Sequence, residues 1–136
     1  MRLFKKTVEG FLLAGIFFLL FLLVFEDRMH LPAWLQVIGR MHPMFLHFPI
    51  TLLLVYFVVF WIPANESATL RVRVIGFIAA ASAVITAVMG LLLSLQENFE
   101  GTTFQRHKWG GISIALIACI FYYLYPWFIR KKSIAR

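Results

Sequence analysis

Residues 8–25 read VEGFLLAGIFFLLFLLVF, with no charge after Glu9 until Glu26. A helix rises about 1.5 Å per residue, so roughly 20 apolar residues cross a hydrocarbon core of about 30 Å. The basic start, Met-Arg-Leu-Phe-Lys-Lys, resembles a secretory signal. The apolar stretch is too long for one, however, and Glu26-Asp27-Arg28 stands where a small-residue cleavage site would be. The stretch reads as a retained anchor helix.

Three more runs of this kind follow, at about 43–62, 70–95 and 103–129. Barrel strands would alternate apolar and polar residues, and these runs do not. The expected fold is therefore all-α: one integral membrane four-helix bundle over residues 1–136. Its connections are short. Leu31-Pro32-Ala33-Trp34-Leu35 reads as a short amphipathic helix at the interface, anchored by Trp34. Residues 63–67 read as a tight polar turn, and residues 96–102 as the third connection. There is no internal repeat and no low-complexity segment.

Composition agrees. Hydrophobic residues make up 62% and charged residues 14%, where a soluble domain sits near half and a quarter. The formal charge of +7 falls in clusters between apolar runs, where basic residues set membrane orientation. A nucleic-acid partner would call for a basic face on a soluble fold, and none is left over. Cys119, the only cysteine, lies inside an apolar run, so it reads as a packing residue.

Arg2, Lys5, Lys6, Arg71, Arg73, Arg130, Lys131, Lys132 and Arg136 fall on one side of this topology. Arg28, Arg40, Arg106 and Lys108 fall on the other. The richer side is expected to be cytoplasmic, with both termini on it.

All four histidines, His30, His42, His47 and His107, fall on the outer side. Pro43 suits a first helical position, which sets His47 one turn inside the second helix. Thr102-Thr103-Phe104-Gln105 has the form of a capping box, which sets His107 one turn inside the fourth. The two helices run in the same direction, so His47 and His107 are expected at similar depth, aimed at one iron. His42 lies about 140° from His47 on a helical wheel, so it is expected to serve as a cap, a supporting group or a propionate partner. His30 reads as an ordinary loop residue. Pro49 is expected to loosen the helix and re-aim the His47 ring.

Haem b fits two imidazole ligands in an apolar helical slot. Arg40, Arg106 and Lys108 at the rim are the expected propionate partners. Gly76, Ala80, Ala83, Ala87 and Gly90 form one small-residue face, which reads as close helix packing for most of its length. Gly90 at its outer end, and Gly111 one turn below His107, are the expected gaps beside a macrocycle.

The segment Gly39-Arg40-Met41-His42-Pro43-Met44-Phe45-Leu46-His47-Phe48-Pro49-Ile50 resembles the signature of an uncharacterised bacterial family of membrane domains. That family has an H-P-x-x-x-H-[FL]-P-I core. Gly90-Leu91-Leu92-Leu93-Ser94 and His107-Lys108-Trp109-Gly110-Gly111 resemble its later motifs, so the resemblance covers roughly 35–130. It implies kinship with di-haem membrane cytochromes, with His42, His47 and His107 as the family histidines. In many members the domain precedes a cytochrome c. This chain has no C-x-x-C-H for covalent haem, and no histidine in its cytoplasmic half to ligate a second one.

Three functions follow as expectations. The first is an electron-transfer cytochrome that partners quinol or an outer-side cytochrome c. The second is a structural or assembly subunit of a larger membrane complex. The third is a copper or zinc site on His42, His47 and His107. No carboxylate pair, nucleotide loop or nucleophile with a nearby base points to a conventional enzyme.

Overall fold

A computed structural model describes residues 2–29, 31–61, 66–96 and 101–134, with backbone only at 2–5, 27, 66–68 and 129–134. These residues are helical throughout apart from brief connections, and no strand occurs among them. Helix α1 spans Arg2–Val24 and is followed by a single 3₁₀ turn, Glu26–Arg28. Then come α2 (Ala33–Arg40), α3 (His42–Phe45), α4 (His47–Trp61), α5 (Glu66–Ser94) and α6 (Thr102–Ile134).

Three of these helices are long and apolar enough to cross a membrane: Lys6–Val24, Thr69–Ser94 and Thr102–Phe128. The expected second span, 43–62, is not one helix. It is broken at Leu46, and Ala33–Phe45 meets His47–Trp61 at a bend of 47°. Pro49 supplies the reason. Its ring displaces the carbonyl four residues back, that of Phe45, and it has no N–H to bond there. The helix therefore breaks on the turn before the proline. A short helix does form around Trp34, but it runs on to Arg40 and feeds directly into this broken span.

The other boundaries move outward. Helix α5 already includes Glu66 and Ser67, part of the expected turn, while residues 63–65 and the loop residues 97–100 lie outside the described residues. So does His30. Helix α6 begins at Thr102 rather than after it. Gly101, at φ 115°, takes the preceding position, and its carbonyl accepts the first helical bond from the Gln105 N–H at 3.2 Å.

Helix α5 is the centre, with α1, α2, α4 and α6 packed around it. Helix α1 runs parallel to it and turns Leu12, Gly15, Leu19 and Leu22 inward at spacings of three and four. Its Phe11, Phe17, Phe18 and Phe21 point outward, as expected beside lipid. A Cβ on Gly15 would lie 3.1 Å from Val84, so the missing side chain is what lets the helices close. The small-residue face of α5 works in the same way. Ala80 and Ala83 are buried with Leu12, Ala115, Ala118, Cys119 and Tyr122, and Gly76 lies under Tyr56. Cys119 is a packing residue of that cluster.

Polar ties hold both ends. Near the chain termini, Arg73 of α5 pairs with Glu9 of α1 at 3.5 Å, and the Tyr123 hydroxyl of α6 donates to the Glu9 carbonyl at 2.8 Å. At the opposite end Gln96, just past α5, donates to the carbonyls of Gln36 (2.9 Å) and Leu92 (3.1 Å). Gly39 makes that crossing possible, because a Cβ there would fall 2.5 Å from the Gln96 amide and 2.8 Å from the Leu93 nitrogen.

Candidate functional site

The end of the fold that carries Gln96 also holds an apolar cavity of about 230 Å³ between α5 and α6. Helix α5 contributes Ala87, Gly90, Leu91 and Ser94, and α6 contributes Phe104, His107, Lys108, Gly111 and Ile112. One residue enters from the broken span, and it is His42.

His42 heads α3, immediately before the break. Its Nδ1 lies 2.9 Å from the Thr86 carbonyl of α5. A carbonyl only accepts, so Nδ1 carries the proton and Nε2 keeps its lone pair. That is the state of an imidazole prepared as a ligand, oriented by its second nitrogen. Gly90 provides the notch: a Cβ there would lie 3.0 Å from His42 Cε1 and 3.2 Å from Nδ1.

His107 faces it from α6. The two ring centres are 6.2 Å apart, with their planes at 81°. Two imidazoles bonded through nitrogen to opposite sides of one metal, at about 2.0 Å each, place their ring centres about 6 Å apart, so the separation is one at which both rings could reach a shared metal. Gly111 lines the cavity with open space where a Cβ would point, and Gly90 keeps the α5 wall low. Both glycines expected beside a cofactor are in the wall.

The expected partner of His107 was His47, and the structure does not bring those two together. His47 is the first residue of α4 and takes no part in the cavity wall, whereas His107, also exposed, lines it. The separation of about 140° between His42 and His47 holds only for an unbroken helix through both histidines. The bend at Leu46 breaks that helix. Pro49 was the signal, for its effect falls one turn upstream, on the His42 side of Leu46.

The basic residues also differ from expectation. Lys108 is occupied: its Nζ donates to both Glu26 carboxylate oxygens, at 2.8 and 2.7 Å, with the lysine side chain only 10% exposed. Arg40 Nε donates to Gln96 Oε1 at 3.3 Å, and Arg106 is exposed outside the cavity wall. Sequence reading missed the Lys108–Glu26 tie because it joins helices 82 positions apart. Among the described residues, no group of three His, Cys, Asp or Glu side chains is placed to hold a metal ion. His42, His47 and His107 form no such group.

Fold and cavity define a class: an all-helical membrane protein with a two-histidine apolar cavity at one end of its helices. No protein-family profile, curated protein or solved structure was found to match the chain.

Proposed function

We propose that this chain is a four-pass protein of a bacterial inner membrane, both termini cytoplasmic, that holds haem b between His42 and His107 near the outer face. The observation that carries the proposal is the pair of rings 6.2 Å apart across an apolar cavity, one of them fixed by its Nδ1–H bond to Thr86. The orientation rests on the excess of Lys and Arg at the terminal side. The resemblance of the His42-to-Ile50 segment to a family akin to membrane cytochromes points the same way.

Bound haem would supply one-electron exchange. The protein's part is to hold it. His42 would present Nε2 from a fixed tautomer and His107 its ring from one turn inside α6, beside the apolar Leu91 and Ile112 of the wall. A volume of about 230 Å³ is below the usual range of about 300–1,000 Å³ for ligand sites. A macrocycle must therefore reach beyond these walls, and Gly111 leaves the room. Arg40 and Arg106 remain the rim cations for propionates, whereas Lys108 is committed to Glu26. Quinol or an outer-side cytochrome c is the expected redox partner.

The test is a reduced-minus-oxidised spectrum of the protein purified from a haem-sufficient host. Wild type and His47→Ala are expected to show a haem b difference spectrum, while His42→Ala and His107→Ala lose it. A colourless wild type that co-purifies with a stoichiometric membrane partner would instead establish the assembly-subunit reading. Loss on His47→Ala with retention on His42→Ala would restore the pairing expected from sequence.

A further inference from the structure

The start of the slanted segment Ala33–Phe45, around Trp34, is expected from sequence to rest at the membrane surface. We infer that it is instead the upper part of the second span, sunk into the leaflet at the histidine end, with its free face covered by acyl chains.

Length is the first argument. Helix α4 has 15 residues and rises about 22 Å, short of the roughly 30 Å of a hydrocarbon core. The segment Ala33–Phe45, inclined at 47° to α4, adds about 13 Å of height. Together they cross; α4 alone does not.

Height is the second. Leu31, Leu35 and Ile38 pack against a cluster of Leu19, Leu22, Leu91, Leu92 and Ile112. Every member of that cluster lies within one of the three long apolar spans. Helix α2 is therefore level with the last turns of α1 and α5, not stacked above them.

The free face is the third. Trp34, Val37, Met41 and Met44 recur at spacings of three, four and three, which is one helical stripe. They are 65%, 60%, 36% and 66% exposed. Arg40 borders the stripe, and its Nε–H bond to Gln96 draws the guanidinium towards the polar end of α5, as a snorkelling side chain should. The stripe itself bears no charge, and below it the equally exposed Phe48 continues onto α4. A surface level with the spans, uncharged and continuous with a lipid-facing helix fits acyl chains. His42, on the same segment, is thereby set below the membrane surface.

Fluorescence quenching of Trp34 tests this in phosphatidylcholine vesicles, with the exposed Trp61, Trp109 and Trp127 replaced by Phe. Lipids brominated along the acyl chain are expected to cause the larger loss of fluorescence, and aqueous iodide the smaller. A larger loss with iodide would put α2 in water and overturn the inference. No loss with either quencher would mean that protein, such as a second copy of this chain, covers the stripe, and would overturn it equally. Should the triple replacement not fold, a nitroxide on Val37→Cys reads the same depth in the otherwise intact chain, since Cys119 is buried. Oxygen should then relax the label more than a water-soluble nickel complex, and the reverse order overturns the inference.

Discussion

Two glycines on neighbouring helices are expected to respond oppositely to the same substitution. At Gly90 a methyl group would press on the His42 ring, 3.0 Å from Cε1, and push Nδ1 away from Thr86. Losing that hydrogen bond, worth about 1 kcal/mol, together with displacing the ring exceeds the roughly 0.5–1 kcal/mol that alanine gains inside a helix, so Gly90→Ala is expected to melt slightly earlier in detergent. At Gly110 nothing lies within 4 Å of a Cβ. There, alanine should stabilise α6 by roughly 0.5–1 kcal/mol through lower backbone entropy in the unfolded chain. Equal shifts in both variants would show that the notch at Gly90 does not hold the ring. The Lys108–Glu26 tie belongs to this scale as well. A double-mutant cycle with Lys108→Gln and Glu26→Gln is expected to give a coupling of about 1–3 kcal/mol, typical of charged hydrogen bonds away from bulk water. A coupling near zero would mean that the contact adds nothing beyond the packing of the elements that carry the two residues.

For helical elements, the proline in α4 makes the sharpest prediction. Pro49→Ala restores the missing N–H to the Phe45 carbonyl, so α3 and α4 are expected to join and the 47° bend to relax. A spin-label distance between positions 34 and 61 should lengthen, and His42 should leave the cavity. An unchanged distance would place the cause of the bend in the packing of α2 instead. That packing has its own test. Gly39→Leu would drive a side chain into the Leu93 backbone, and a loss of about 1–3 kcal/mol in the melt is expected from overpacking. This scale also marks what a sequence can disclose. The apolar runs are local and long, so the spans through Leu19, Ala83 and Ala115 could be read directly, as could His107 inside its helix. The bend was written in Pro49, but its consequence for His42 depends on where α5 presents the Thr86 carbonyl. That is a contact across 44 positions, and no local pattern encodes it.

Across the whole molecule, the distribution of Lys and Arg predicts that a reporter active only in the cytoplasm will work when fused to either terminus. Activity in a connection between α5 and α6, with none at the termini, would invert the orientation and place the histidine cavity inside. The chain's hydropathy discloses how many apolar segments there are. It does not disclose that α5 takes contacts from every other long helix while those helices touch one another far less. Small residues on several faces of α5, from Gly76 through Ala79 and Ala83 to Gly90, are the trace of that role once the partners are known.

The central place of α5 also sets an order of assembly. Helices α1 and α4 both precede α5 in the chain and share it as their main packing partner, so neither finds its docking surface until α5 has been made. A released fragment ending before residue 66 should therefore be degraded faster in cells than one that extends through Ser94.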